Sequence, residues 1–183
     1  MKKWQILVHL TDTCYWFATP FDDKIWIKRI FEVKKRSEWK MFSLLFWDLD
    51  QVKEYCFVDD EQEKFILEHK FFSSFILKKK GRLRNFFPEF ETVCVRIENE
   101  KFDFCPVKYD FFENWWKPVV TTSVNISWDK NFYWEKEIEE NFWKYEFIKK
   151  IYTWECIEKN HNFIFSKIFD LTKLNWWKIL QIR

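Results

Sequence analysis

The chain has 183 residues but a single glycine, Gly81, and this scarcity restricts the backbone geometries and ligand sites that it can form. Phosphate-cradling loops and dinucleotide fingerprints need two or three glycines, because their backbone must approach the ligand closely or adopt positive φ. The sequence therefore argues against nucleotide binding through a glycine-rich loop. Alanine is equally scarce, with Ala18 alone, whereas 23 phenylalanines and 13 tryptophans supply large apolar side chains.

Length, composition and charge predict a single domain over residues 1–183. With 48% apolar and 33% charged residues, the chain is neither disordered nor membrane-embedded. The longest uncharged stretch, Pro118 to Trp128, is much shorter than the ~20 residues of a membrane helix. Basic residues number 31 and acidic residues 29, so only a local patch could bind nucleic acid. We expect residues 143–183 to form a partner-docking C-terminal extension.

The cysteines give no sign of a disulfide framework or a metal site. They are widely spaced, without a Cys-x-x-Cys pair and without a histidine at ligand spacing. Buried, reduced thiols in a reducing compartment are the expected state. The five residues are Cys14, Cys56, Cys94, Cys105 and Cys156.

The residue usage also carries a signal about the gene. Glycine, alanine and proline are rare while phenylalanine, lysine and isoleucine are abundant, which indicates an AT-rich gene. Tryptophan should then be rare, because its standard codon is UGG, yet there are 13 tryptophans. We expect that UGA also encodes tryptophan, as in many mitochondrial genomes and in mycoplasma-like bacteria.

Hydrophobic periodicity predicts an α+β fold with an N-terminal helical segment, a mostly antiparallel or mixed sheet, and a late helix. Residues 23–46 fit one amphipathic helix or two short ones, and 48–60 reads as a polar connection. Alternation predicts strands over 65–72, 92–98 and 120–128. The remaining elements are a hairpin whose turn places Gly81 at positive φ, and a helix that carries Trp134-Glu135-Lys136-Glu137.

Residues with chemical potential do not converge on a catalytic arrangement. Glu135, Glu137, Glu139 and Glu140 form the densest acidic group, but on a helix they spread over different faces and favour a solvated or partner-facing surface. The three histidines are isolated, and no serine or cysteine lies in a nucleophile context. We therefore predict no catalytic residue, no metal and no cofactor.

A basic run next to Gly81 leaves two interpretations open. Flanked by phenylalanines, it could grip phosphates and stack bases. The simpler interpretation is a solvated hairpin tip. The run consists of Lys78, Lys79, Lys80, Arg82 and Arg84.

The segment from Val124 to Phe142 resembles the signature of the 30-kDa subunit of respiratory complex I, in which a strand leads into Asn-Trp-Tyr-Glu-Arg-Glu and then Asp-Met-Phe-Gly. Asp48-Leu49 with Val52, and the stretch from Phe65 to Arg84, are similar to upstream segments of that family in the same order. The sequence departs from the pattern at Trp143, where the family has glycine. The residues that match the signature are Tyr133, Trp134, Glu135, Lys136, Glu137, Glu140 and Phe142.

This resemblance implies a structural, cofactor-free subunit of the hydrophilic arm of NADH:ubiquinone oxidoreductase. It also implies contact with the 49-kDa subunit, a peripheral position on the matrix side of the mitochondrial inner membrane, an organelle gene and no direct nucleic-acid partner. The matching charged residues would then lie at a subunit interface. Two alternatives are a divergent mitochondrial ribosomal RNA-binding protein and a small bacterial or phage binding or immunity protein.

Overall fold

The computed structural model describes residues 6–11, 13–37, 42–84, 88–98, 117–126, 129, 131–132, 134–142, 144–150 and 166–172. These residues form one eight-stranded mixed sheet and five helices, so the predicted α+β class is confirmed. Within these ranges, no helix has the length and apolar character that a membrane crossing requires.

The described strands and helices have the following bounds in chain order. The strands are β1 (Ile6–Leu10), β2 (Tyr15–Pro20), β3 (Ser43–Phe46), β4 (Ser73–Lys78), β5 (Thr92–Ile97), β6 (Val119–Ser123), β7 (Ile148–Lys150) and β8 (Lys167–Asp170). The helices are α1 (Lys24–Lys34), α2 (Leu49–Tyr55), α3 (Asp60–His69), α4 (Gly81–Arg84) and α5 (Glu135–Phe142).

The strand order is β7-β1-β2-β6-β3-β5-β4-β8. The pairs β1–β2, β2–β6, β3–β6 and β4–β5 are antiparallel, whereas β1–β7, β3–β5 and β4–β8 are parallel. Strand β6 thus joins a β7-β1-β2 half to a β3-β5-β4-β8 half. The two outer strands, β7 and β8, come from the 143–183 segment, most of which lies outside the described residues.

The two faces of the sheet differ in chemistry because side chains alternate along each strand. On one face, Val8, Phe17 and Val120 belong to the hydrophobic core, and buried residues of all five helices join the same cluster. We call the opposite side the polar face. It is defined by His9, Trp16, Ala18, Ser43, Cys94, Arg96, Thr121 and Ser123, which the strand register places together.

Helix α1 has a complete cap at each end. The Asp23 carboxylate accepts hydrogen bonds from the backbone N–H groups of Ile25 and Trp26. At the other end Lys35 is left-handed, with φ 48° and ψ 42°, and donates its backbone N–H to the Glu32 carbonyl. The Arg36 N–H reaches the Phe31 carbonyl at 2.9 Å. These bonds form a Schellman motif with lysine at the position that glycine usually fills.

Two predicted strands are confirmed, since 92–98 contains β5 and 120–128 contains the end of β6. The predicted strand over 65–72 is wrong, because it lies mostly in α3. A capping box starts this helix: the Asp59 side chain accepts from the Gln62 backbone N–H, and the Gln62 side chain accepts from the Asp59 N–H. Over the eight residues 65–72, the apolar positions fit both the two-residue period of a strand and the 3.6-residue period of a helix. So short a segment does not distinguish the two.

Three further expectations differ from the structure. The fold was expected to begin with a helical segment, but two strands precede the first helix. The segment 48–60, predicted to be a polar connection, contains α2, which is capped by the Asp48 side chain. Gly81 begins the short helix α4 and has no positive φ. Among the described residues, the left-handed positions belong instead to Lys35 and Phe72. The late helix exists as α5, which buries Ile138 and Phe142.

We expect Lys35→Gly to stabilise the fold. A residue with a Cβ in the left-handed region costs about 1–2 kcal/mol, while glycine loses about 0.5–1 kcal/mol more chain entropy on folding. The net gain in the free energy of unfolding should be about 0.5–1 kcal/mol, measured by urea denaturation. Lys35→Ala, which keeps the Cβ and removes the charge, is the control. Equal stability of the two variants would contradict the assignment of strain to this position.

Candidate functional site

The end of α1 meets the end of β6 at a buried lysine. The Lys34 side chain is buried, and its Nζ donates to the Ser123 carbonyl, to the Asn125 carbonyl at 3.0 Å and to the Asn125 Oδ1 at 2.6 Å. An ammonium group has three N–H donors, so these acceptors use all of them. We call Lys34, Arg36, Ser123 and Asn125 the Lys34 site.

Local structure fixes both sides of this contact. On the helix side, Ile27, Ile30 and Val33 are buried in the core and hold α1 against the sheet. On the strand side, the Val124 N–H extends the sheet ladder by donating to the Tyr15 carbonyl at 2.8 Å. Beyond this bond the chain turns, which brings Asn125 to the end of α1.

Hydrogen bonds orient the Asn125 amide. Its Nδ2 donates to the Asp129 carbonyl at 2.7 Å, while its Oδ1 accepts from the Ser123 hydroxyl at 3.0 Å and from Lys34. Because both amide atoms have partners of matching polarity, the Oδ1 faces the lysine.

Burial controls the protonation of the groups around the site. Burial, together with the nearby charge of Arg36, lowers the pKa of Lys34 to about 7. Burial also raises the pKa of the Cys14 thiol to about 12, so this neighbour of Lys34 is neutral. The Phe17 ring lies 5.9 Å from the Lys34 Nζ and gives the cation an aromatic face.

Arg36 places a second cation two residues beyond Lys34. Its guanidinium lies 5.0 Å from the centre of the Phe42 ring, and partial burial lowers its pKa. Guanidinium stays protonated at neutral pH even so. A fixed ammonium and a guanidinium at one strand end suit carboxylate or phosphate groups.

The turn between β1 and β2 forms another wall near this end of the sheet. The Thr11 hydroxyl donates to the Cys14 carbonyl at 2.8 Å and accepts from the N–H groups of Thr13 and Cys14. The Trp16 indole Nε1 donates to the Thr13 hydroxyl at 3.3 Å, which fixes the ring of this polar-face residue.

The residues predicted as a subunit interface lie around α5. Trp134 is exposed just before the helix, and its N–H donates to the Glu137 carboxylate at 3.1 Å. Glu135 accepts from the Tyr15 hydroxyl at 3.5 Å, and its partial burial raises its pKa. The exposed Lys136 and Glu140 are 3.9 Å apart.

Phe142, also in that predicted set, is a core residue rather than a surface one, with its ring 5.2 Å from that of Phe17. Tyr133 lies outside the described residues.

The predicted basic run does not present one surface. Lys78 and Arg82 are exposed, but Lys79 is buried. Lys80 donates its ammonium to the Lys53 carbonyl at 2.7 Å and lies over the Phe57 ring. The Arg84 side chain lies outside the described residues.

Other titratable groups remain separate. His9 is buried on the polar face, where burial lowers its pKa to about 3, and His69 is exposed on α3. Among the residues that the structure describes, no group of three or more histidine, cysteine or acidic side chains could hold a metal ion. Cys14, Cys56 and Cys94 are free thiols.

The comparisons with known proteins identify the family. The Sua5/YciO/YrdC family model, described as telomere recombination, matches residues 1–170. The chain therefore belongs to this family. A search of curated proteins gave no match.

Solved structures show the same fold. Sua5 of P. abyssi in complex with L-threonine has a TM-score of 0.74 and 21% identity, over 93% of this chain and 48% of Sua5. E. coli YciO has a TM-score of 0.73 and 21% identity, over 94% of this chain and 80% of YciO. Full-length HypF in its phosphate- and nucleotide-bound form gives 0.71 and 21%, over 91% of this chain and 25% of HypF. The chain thus spans about half the length of Sua5.

Family membership overturns the complex I interpretation. The chain is not a 30-kDa subunit, and its predicted respiratory role, its 49-kDa partner and its place at the mitochondrial inner membrane rested on that resemblance alone. The expectation of no nucleic-acid partner is also wrong, because this is an RNA-binding, tRNA-modification family. The ribosomal and immunity-protein alternatives fit no better.

Sequence patterns did not single out the Lys34 site. The pattern placed Lys34 among the charged positions of an amphipathic helix and Asn125 at a polar position of an alternating strand. One usable signal was present: the uncharged stretch that contains Ser123 and Asn125 has polar residues where a strand ends, and strand ends often carry ligand-binding residues.

The depressed pKa of Lys34 predicts how stability changes with pH. With a pKa of about 7 in the fold and 10.5 in the unfolded chain, the unfolded state holds one more proton between these values. Stability should therefore rise as pH increases above 7, by at most about 1.4 kcal/mol per pH unit. Lys34→Met should remove this rise, while Lys28→Met on the exposed side of α1 should keep it.

Urea denaturation between pH 7 and about 8.5 measures this effect, since Cys14 and Cys56, whose pKa values are raised, act in the opposite direction at higher pH. The same slope in the wild type and Lys34→Met would show that Lys34 keeps an ordinary pKa.

Proposed function

We propose that this chain acts in tRNA modification as a threonylcarbamoyladenylate synthase-like domain, binding L-threonine and a nucleotide at the Lys34 site. The observation that carries the proposal is the buried Lys34, positioned by Ser123 and Asn125 in a chain that belongs to the Sua5/YciO/YrdC family. Ligands named for two neighbours agree in chemistry, since Sua5 was solved with L-threonine and HypF with phosphate and nucleotide.

The charges of the site suit both ligands. L-Threonine carries a carboxylate and a nucleotide carries phosphates, and each can pair with the Lys34 ammonium or the Arg36 guanidinium. Of the three acceptors around the Lys34 Nζ, two are backbone carbonyls and one is the Asn125 side chain. A ligand oxygen would replace the Asn125 Oδ1, because a side-chain amide can move while the backbone stays in place.

This mode of binding is compatible with the scarcity of glycine. Gly81 lies in α4 rather than at the Lys34 site, so no glycine-rich loop is available to surround phosphates with backbone N–H groups. The Lys34 ammonium and the Arg36 guanidinium would bind the phosphates instead. Transfer to tRNA would follow from the family's role, with the RNA as the final acceptor.

Titration calorimetry of the purified chain tests the proposal. We expect the wild type to bind L-threonine, AMP or both. Lys34→Met should weaken that binding at least about tenfold, since the loss of one charge-assisted hydrogen bond costs about 1.5–3 kcal/mol. Lys28→Met, on the same helix but exposed, should bind within about twofold of the wild type.

A second variant tests the proposal if Lys34→Met does not fold. Arg36→Gln removes the guanidinium and leaves the buried bonds of Lys34 in place, so it should fold and still bind more weakly. If the wild type binds neither ligand, or if Lys34→Met and Arg36→Gln both bind like the wild type, the proposed function is wrong.

A further inference from the structure

Helix α1 differs in charge from the other long helices on its side of the sheet. It contains four basic residues and a single acidic one, Glu32. Helices α2, α3 and α5 each contain more acidic than basic residues. The helix-covered side of the described structure thus has one long basic helix among acidic ones.

Three exposed lysines follow the outer side of α1. Lys24 and Lys28 are four residues apart, so they lie one above the other on the same side of the helix. Lys35 is exposed at the C-cap, roughly 16 Å from Lys24 along the helix axis. We call Lys24, Lys28 and Lys35 the lysine stripe.

The charges of the lysine stripe are not neutralised within the described part of the chain. Among those residues, no carboxylate forms an ion pair with Lys24, Lys28 or Lys35. The exposed Glu32 instead accepts a hydrogen bond from Arg29 at 2.8 Å. The stripe therefore presents three ammonium groups to an anionic partner.

The lysine stripe leads to the Lys34 site. Lys35 directly follows Lys34, and the next residue is Arg36, the second cation of the site. The Arg36 guanidinium lies 5.0 Å from the centre of the Phe42 ring, which holds it at this end of α1. A polyanion that lies along α1 would therefore reach the Lys34 site.

RNA has the charge pattern that this surface fits. The net charge of the chain is only +2, so a local patch must supply the contacts to phosphates. The run from Lys78 to Arg84 does not present one surface, because Lys79 is buried. The acidic helices α3 and α5 would repel phosphates, which restricts an approaching RNA to α1.

We propose that the lysine stripe binds the phosphate backbone of an RNA substrate and directs this RNA toward the Lys34 site. Lysines that contact phosphates set the position and orientation of the RNA without reading its bases. The inference rests on the proposed function for the choice of tRNA as the probe. It adds to that function a surface outside the Lys34 site.

The salt dependence of tRNA binding tests the lysine stripe. For the wild type, the logarithm of the association constant should fall linearly with that of the salt concentration, because bound phosphates release counterions. The triple variant Lys24→Gln/Lys28→Gln/Lys35→Gln should reduce this slope by about two to three. It should also bind at least about tenfold more weakly at ~50 mM salt. Filter binding of labelled tRNA measures both quantities.

A matched variant controls for the loss of charge. Lys64→Gln/Lys136→Gln/Lys167→Gln removes three exposed lysines from α3, α5 and β8. It lowers the net charge by the same amount but leaves α1 intact, so it should keep the wild-type slope. All six positions are exposed, so both triple variants should fold.

Lysine acetylation locates the contact in the wild type. Bound tRNA should slow the reaction of the lysine stripe with acetic anhydride at least about threefold, as followed by mass spectrometry. Lys64 and Lys136 should react at the same rate with and without tRNA. Poly-L-glutamate, at the same concentration of anionic groups, should protect the stripe less than tRNA does.

Three results would overturn the inference. They are a wild type that binds no tRNA, equal salt slopes for the two triple variants, and stronger protection by poly-L-glutamate, which would indicate an acidic protein as the partner. Calorimetry with L-threonine and AMP tests the proposed function separately. The stripe variant retains Lys34 and Arg36, so it should bind these ligands like the wild type.

Discussion

Strand β6 holds the molecule together. It pairs with β2 on one side and with β3 on the other, and in the described sheet no other strand links the two halves. Its Val120 lies in the core and its Thr121 lies in the centre of the polar face. Ser123 at its end and Asn125 just beyond accept hydrogen bonds from Lys34. Antiparallel pairing on both edges fixes its register. The same constraint that unites the sheet therefore also sets the positions of the proposed ligand contacts.

The burial of Lys34 depends on that register. A lysine with little exposure needs acceptors for its protons, and the end of β6 supplies them only where the pairing with β2 stops at Tyr15. A shift of one residue would turn Ser123 to the core face and move Asn125 away from α1. The geometry of the site and the specificity of the fold thus depend on the same backbone hydrogen bonds of β6. Loss of Lys34 would affect both.

Two of the eight strands and the late helix could be predicted from sequence, and most of the site could not. Clear alternation of apolar residues located β5 and β6, and a 3.6-residue period located α5. Helix α3 begins with a capping box, Asp59 with Gln62, but the alternation over residues 65–72 is typical of a strand and predicts the wrong element. The Lys34 site brings together residues about 90 positions apart, which no local pattern records. The complex I resemblance failed for a related reason: it treated the run from Val124 to Phe142 as one motif, although Asn125 belongs to the strand-end site and Lys136 to an exposed helix surface.

The left-handed conformation of Lys35 has a wider meaning for how this fold is recognised. Elsewhere such a position is marked by glycine, but here the backbone keeps the geometry while the residue type differs, and Phe72 repeats the pattern. The backbone of this chain thus takes left-handed conformations without the residue type that usually signals them. Pairwise sequence comparison, which scores residue types, loses this chain at about 20% identity, whereas superposition of coordinates still places it beside Sua5 and YciO. A biased residue usage can thus hide a protein's ancestry from sequence comparison while its architecture remains recognisable.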